Sequence, residues 1–254
     1  MWDPATYLAF ADHRARPFHD LLARVGAARP RRVVDVGCGP GNLTTALAER
    51  WPDAIVEALD SSPDMVAEAR SRGIDASVDD ARTWTPRRDT DVVVANAVLQ
   101  WIPEHDEVLT RWASALPSGA WLAMQVPGNF ADASHALTRD LAGTRRWRDT
   151  LGEARAFLQR GVLEPAGYAE LLAGTGCAVD VWETTYLQRL HGDDPVLEWI
   201  TGTALRPVRA ALSDQDWAEF RAELAPMLRA AYPRGADGGT WLPFRRVFAV
   251  AVTP

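Results

Sequence analysis

An α/β domain built on a parallel sheet is the fold that this sequence predicts, and three observations predict it. Short apolar runs alternate with stretches of helical period between residues 30 and 126. One run, Arg32-Val33-Val34-Asp35-Val36, passes directly into three closely spaced glycines and then into a helical pattern. The 254 residues are 47% hydrophobic, enough to bury the core of one large domain or two small ones.

The elements follow in order. Residues 5 to 25 read as a helix, with Leu8, Phe18, Leu21, Leu22 and Val25 as core positions. Arg32 to Gly37 is a buried strand, and Gly41 to Arg50 is the helix after the turn. Ile55 to Leu59 is a second strand ending in Asp60. Pro63 opens a helix to about Arg72, with Ser62 placed to cap it. Residues 74 to 78 form a weak third strand, Asp91 to Ala95 a fourth and Gly119 to Val126 a fifth, with a helix over Glu104 to Leu116 between the last two. Beyond Val126 the rhythm changes. Residues 134 to 175 read as helical pieces broken near Gly152, Gly161 and Pro165; Cys177 to Leu190 is a long strand; 194 to 231 is helical; Phe244 to Val252 is the final strand.

Composition excludes several functions. The net charge is −7, and all 27 basic residues are arginine. A net-negative chain lacks the basic stripe that phosphate neutralisation needs, so no nucleic-acid partner is expected. The absence of lysine excludes Schiff-base and Walker A chemistry. Two cysteines, Cys38 and Cys177, make neither a disulfide framework nor a four-thiolate zinc site. The five histidines lack metal-ligand spacing, so no metal is expected, and His105 and His135 read as surface or capping residues. Neither a signal peptide nor a transmembrane run is evident, and a cytoplasmic protein without a membrane partner is expected.

The turn Gly37-Cys38-Gly39-Pro40-Gly41 carries the chemistry. Glycine lets the backbone turn sharply and lets a ligand approach the main chain. The spacing is G-x-G-x-G. A dinucleotide fingerprint needs a glycine where Asn42 stands, so the motif departs from that pattern. Asp60 lies nineteen positions beyond Gly41, where a carboxylate accepts from a ribose diol. Asp79 and Asp80 follow the third strand; one carboxylate there is placed to accept from an adenine amino group, and the Ala81 N–H to donate to the ring.

The order D-V-G-C-G-P-G, A-L-D-S-S-P-D-M, D-D-A and A-N-A-V-L-Q-W resembles the class I S-adenosylmethionine-dependent methyltransferases. The resemblance implies a Rossmann-like fold: a seven-stranded, mostly parallel sheet with an antiparallel last strand and helical cap insertions. It implies S-adenosyl-L-methionine as cofactor. Asp35, Gly37, Gly39 and Gly41 are then assigned to its methionine part. Asp60, Ser61 and Met65 take the ribose side, and Asp80 and Ala81 the base. Asn96 and Ala97 line the methyl-donor channel, and Cys38 is a small neighbour of the cofactor, not a nucleophile.

Further stretches resemble the trans-aconitate methyltransferases from end to end. They are Trp2-Asp3-Pro4, Arg14-Ala15-Arg16-Pro17, Asn96 to Trp101, Gln125-Val126-Pro127-Gly128-Asn129, Cys177 to Trp182 with Thr184-Thr185-Tyr186, Leu205-Arg206-Pro207, and Phe244 to Phe248. This resemblance implies methylation of one carboxylate of a small polycarboxylate substrate. It implies a single methyltransferase domain, with residues 1–126 as cofactor core, 127–176 and 193–242 as cap segments, and 177–190 and 243–252 as final strands.

A carboxylate is ionised at neutral pH, so no catalytic acid or base is expected. Guanidinium suits a polyanion because it binds carboxylate bidentately. Arg206 and Arg246 are therefore expected to hold the carboxylates that do not react. Neutral donors (Tyr186, Gln125 or the Trp101 indole) are expected to orient the one that does. Trp199 is a further pocket candidate. Arg14 is placed on the cofactor side and Arg16 on the substrate side, although the two are interchangeable on this reading. Arg29, Arg31, Arg32, Arg87 and Arg88 read as solvated charge at the opposite sheet edge. The alternatives are a methyltransferase for another small acid, a non-catalytic cofactor-binding module, and an NAD-dependent oxidoreductase.

Overall fold

Residues 11–254 are described by a computed structural model, with side chains from residue 15 onward. Leu8, the Arg14 side chain and the Trp2-Asp3-Pro4 stretch lie outside the described residues. The elements are α1 (Ala11–Leu22), β1 (Arg32–Val36), α2 (Thr44–Arg50), β2 (Ile55–Asp60), α3 (Pro63–Ser71), β3 (Asp75–Val78) and β4 (Thr90–Asn96). A 3-10 turn (Leu99–Trp101) follows, then α4 (His105–Ala115), β5 (Trp121–Pro127), α5 (Ala133–Gly143), α6 (Arg148–Leu158) and α7 (Pro165–Ala173). The chain ends with β6 (Ala178–Leu190), α8 (Pro195–Thr201), α9 (Arg206–Ala211), α10 (Asp214–Ala231) and β7 (Thr240–Val252). No described helix is long and apolar enough to cross a membrane.

The seven strands form one sheet in the order β3-β2-β1-β4-β5-β7-β6. β1 to β5 pair in parallel, and β7 runs antiparallel to β5. All five residues of β1 are buried, as a central parallel strand covered on both faces requires. The weak third strand is the sheet edge, where Asp75, Ser77 and Val78 are exposed.

The chain divides into two compact units. Of the described residues, one comprises 11–127, 163–184 and 246–254; the other comprises 128–162 and 185–245. The first holds β1 to β5, the start of β6, the end of β7, and helices α1 to α4 and α7. In the second, α10 packs on α5 and α8, and α6 packs on α5 and α9. Trp147 and Phe220 meet edge to face there, with ring centroids 5.4 Å apart.

Several boundaries differ from the sequence pattern. The helix after the glycine turn begins at Thr44, not Gly41, because Gly41 sits at φ +75° and cannot open a right-handed helix. β7 begins at Thr240, ahead of the proline and aromatic residues that mark Phe244. Residues 194–231 break into three helices, with Pro207 and the Ser213 N-cap restarting the second and third. Helix α7, which the pattern placed in a cap segment, belongs to the first unit and packs on α4. His105 explains that packing. It is buried, its Nε2 lies 3.0 Å from the Tyr168 hydroxyl, and its Nδ1 lies 3.1 Å from the Ile102 carbonyl. His105 is therefore a core histidine and not a surface one.

Arg32 also departs from expectation. It is 7% exposed, and its guanidinium pairs with Glu57 and, at 3.0 Å, with Asp89. Arg31 pairs with Asp91 at 2.7 Å. These ion pairs tie β1 to β2 and to the start of β4, where solvated charge was expected.

Candidate functional site

Within the first unit, the carboxyl ends of β1, β2, β4 and β5 gather most of the predicted cofactor-side residues. The turn after β1 uses three left-handed glycines: φ is +74° at Gly37, +56° at Gly39 and +75° at Gly41. Their reasons differ. A Cβ at Gly37 would lie 2.4 Å from the Val98 side chain, and one at Gly41 would lie 2.9 Å from the Ala69 Cβ. A Cβ at Gly39 would meet nothing within 4 Å. Gly37 and Gly41 thus serve the protein's own packing, and Gly39 leaves a stretch of main chain open to a ligand.

Asp60 joins the turn to α3. Its Oδ2 accepts from the Gly39 N–H at 2.9 Å, and its Oδ1 accepts from the Ser62 N–H at 2.9 Å. Each oxygen keeps a second acceptor direction. Burial raises the Asp60 pKa, and the two N–H donors oppose that rise. Ser61 is exposed beside it, while Met65 is buried, with its N–H on the Ser62 Oγ cap at 3.5 Å.

Asp35 is 3% exposed in the middle of the apolar β1 and accepts from the Thr44 hydroxyl at 2.6 Å. Burial pushes its pKa up to about 6, the Thr44 bond pulls it down, and the charge of Asp60 adds to the rise. Cys38 is buried with Ala58, Val66, Ala69 and Ala76, and burial raises its thiol pKa, which leaves no thiolate nucleophile. Asp80 is held by the Arg82 guanidinium and accepts the Arg82 N–H at 2.9 Å, so its pKa is lowered. Ala81 is buried next to it.

After β4, Ala97 adopts φ +56°, the one left-handed non-glycine among the described residues. Two glutamines hold it there. Its N–H donates to the Gln125 carbonyl at 2.9 Å, and its carbonyl accepts from Gln100 Nε2 at 2.6 Å. The Gln125 side chain is buried and spends both ends of its amide on protein. Its Oε1 accepts from Arg246 Nη1 at 3.1 Å, and its Nε2 donates to Asn96 Oδ1 at 2.5 Å. Arg246 is 4% exposed and Trp101 is half-buried. Arg16 is exposed on α1, 3.9 Å from Asp20.

The second unit holds the remaining predicted residues. Tyr186 is buried on β6. Arg206 opens α9, and burial lowers its pKa. Trp199 is buried edge to face against Phe244 at 5.4 Å, a packing arrangement. Two amides here were not among the predicted site residues: Asn129 and Gln188 are each 4% exposed, and each has a buried side-chain oxygen without a hydrogen bond. Their signal was an amide inside otherwise apolar strand and loop patterns. His135 lies beside Phe130, and burial pushes its pKa down to about 4, with Arg139 adding to the fall. It is half-buried in the first turn of α5.

Among the described residues, no group of three or more histidine, cysteine, aspartate or glutamate side chains is arranged to hold a metal. The unit-one geometry offers a main-chain cradle at Gly39, a carboxylate with spare acceptor directions at Asp60, and a buried carboxylate at Asp35. That donor set fits a ligand with a diol and a cationic end.

Comparison with known proteins agrees in kind. Residues 8–179 match the family model described as a methyltransferase domain. The chain is 64% identical over 251 residues to trans-aconitate 2-methyltransferase of Rhodococcus jostii (strain RHA1), covering 99% of each chain. It is 62% identical over 252 residues to the protein of the same name from Mycolicibacterium gilvum (strain PYR-GCK), covering 99% of this chain and 98% of that one. Among solved structures, phosphoethanolamine N-methyltransferase 2 of Haemonchus contortus, in complex with S-adenosyl-L-methionine, aligns with a TM-score of 0.55 at 20% identity. The alignment covers 94% of this chain and 52% of that one.

Proposed function

The chain belongs to the trans-aconitate 2-methyltransferases within the methyltransferase-domain family, and from that premise we propose that it converts trans-aconitate to a monomethyl ester. The observation that carries this reading is the full-length match, 64% identical across 99% of both chains. The cofactor is S-adenosyl-L-methionine, which when bound supplies an electrophilic methyl group on a sulfonium sulfur.

The residues fit that group. Gly39 offers main chain that no side chain covers, and Asp60 has acceptor directions left for a diol. Ionised Asp35, buried beside the turn, favours a cationic ligand. In this reading Asp35 and the turn that Gly37 and Gly41 shape, open at Gly39, hold the methionine part. Asp60, Ser61 and Met65 shape the ribose side, and Asp80 and Ala81 serve the base. Asn96 and Ala97 border the donor channel.

The nucleophile is a carboxylate that is already ionised, so no residue has to remove a proton. Orientation and water exclusion supply the catalysis. Arg206 and Arg246 hold non-reacting carboxylates, and the reacting one is left to neutral donors because a clamped guanidinium would weaken it as a nucleophile. Both cysteines are buried and free, which fits a reducing compartment, and we place the reaction in the cytoplasm.

Incubation with tritiated-methyl S-adenosylmethionine and a panel of di- and tricarboxylic acids tests the assignment. Label is expected in trans-aconitate ahead of its relatives. Label in none of them, from protein that binds the cofactor in a calorimeter, would overturn the substrate assignment.

A further inference from the structure

Gln125 was a candidate for the neutral donor that orients the reacting carboxylate, but both ends of its amide are committed. The direction of those bonds has a chemical cause. A guanidinium donates hydrogen bonds and accepts none. Arg246 Nη1 therefore forces Gln125 to turn its Oε1 toward it, 3.1 Å away. The Gln125 Nε2 is then aimed at Asn96, and Asn96 answers with Oδ1 at 2.5 Å. Each amide in the row has its orientation set by the one before it. The last, Asn96, is left with its two N–H donors outward.

Register supports the same picture. Asn96 is the last residue of β4 and is the Cα partner of Gln125 on β5, so their side chains share one face of the sheet. Pro127 is paired with Arg246 on β7 in the same register. The row thus crosses three neighbouring strands at the carboxyl end of β4 and β5, the edge at which open α/β sheets bind ligands. Asn96 is half-buried, its Nδ2 is not a buried atom without a partner, and the bond to Gln125 is its one side-chain hydrogen bond. Nδ2 is therefore accessible and donates to no protein acceptor.

We infer that Asn96 is a substrate-positioning residue: its Nδ2 donates to the carboxylate oxygen that accepts the methyl group, and the Arg246–Gln125 pair acts by fixing the Asn96 amide. This rests on the methyltransferase reading above and moves Asn96 from lining the cofactor channel to contacting the acid. A neutral amide suits that task. It aligns the oxygen without neutralising it, whereas the Arg246 guanidinium is set two amides away from that oxygen.

Asn96→Asp and Asn96→Ala test this alongside the wild type. The aspartate is isosteric and still accepts from Gln125, but it replaces the outward donor by an acceptor that repels the substrate. Titration with S-adenosylhomocysteine should give a Kd within threefold of wild type for both variants. The kcat/KM for trans-aconitate should fall about 10-fold or more in Asn96→Ala and further in Asn96→Asp. A pH series separates positioning from mere support of the fold. As pH falls, the introduced carboxyl gains a proton and becomes a donor, so the activity of Asn96→Asp relative to wild type should recover, while that of Asn96→Ala should stay level. Activity within threefold of wild type in Asn96→Ala would overturn the inference, as would a parallel loss of cofactor affinity. If Asn96→Asp does not fold, the Asn96→Ala arm decides alone. A wild-type enzyme that binds cofactor and labels no polycarboxylate would remove the reading on which the inference stands.

Discussion

Replacing Asp35 by asparagine should stabilise the ligand-free protein in a pH-dependent way while it weakens cofactor binding. Asp35 is buried in β1 and its pKa is pushed up to about 6 by burial, against 3.8 for the free side chain. The folded form therefore binds this proton more tightly than the unfolded form does. Stability is fully retained below the unfolded value, falls as pH rises between the two values, and stays reduced above the folded one. A shift of roughly two units corresponds to about 3 kcal/mol at pH 8. About half of that remains at pH 5 and little at pH 4. The asparagine has no such penalty and can still accept from Thr44. Any constant cost of the new amide cancels when the two proteins are compared across pH. The stability difference in favour of the variant should grow by about 2 to 3 kcal/mol from pH 4 to pH 8. For a chain of 254 residues this is a relative shift in Tm of roughly 5 °C. Thermal unfolding of both proteins in matched buffers measures it. A difference that does not change with pH would refute the assignment of a costly buried carboxylate. Undiminished affinity for S-adenosylmethionine would refute the argument that the cost is retained for a cationic ligand.

Gly39 and Gly37 of the turn should separate by assay. Gly39→Ala carries only the left-handed backbone cost of about 1 to 2 kcal/mol, so it should fold and lose cofactor affinity in calorimetry. Gly37→Ala adds a clash with Val98 and should lower Tm further. Tyr168→Phe removes the hydroxyl on His105 and should cost about 1 to 2 kcal/mol in denaturant titration with kcat unchanged. Arg246→Ala and Arg206→Ala should each reduce kcat/KM for trans-aconitate by about 10-fold or more; unchanged values in both would dispose of the clamp.

The sequence pattern located the sheet well because its evidence was local. The valine runs of β1 and β4, the Ser62 cap and the kink at Gly152 each follow from a few adjacent residues. The glycine turn and Asp60, which the Gly39 N–H joins, were legible for the same reason, since they follow successive strands. What the pattern missed depends on residues far apart in the chain. The bond from Tyr168 to His105 spans 63 positions, and it turns a helix expected in the cap into part of the first unit. Arg32 looked solvated because its partners, Glu57 and Asp89, come from other strands and loops. Gln125 looked like a substrate donor until Arg246, 121 positions away, fixed which way its amide points. Periodicity reports which face a residue occupies; it does not report what that face meets.

An ionised nucleophile also constrains the pH dependence of catalysis. A reaction whose nucleophile is an ionised carboxylate needs no base, so kcat/KM should be level from about pH 6.5 to pH 9. The buried groups agree with this. His135 is pushed down to about 4 and is neutral across that range, and the Cys38 thiol is pushed up and stays protonated. Asp35, at about 6 in the ligand-free protein, is the buried acid that enters the window from below. Its ionised form favours the cationic cofactor, so an acid limb should appear below about pH 6, and Asp35→Asn should remove its contribution. Protonation of the substrate adds to the same limb only below about pH 5. A rise in kcat/KM centred near pH 7 would instead require a general base, and the division between arginines that hold and an amide that aligns would then be wrong.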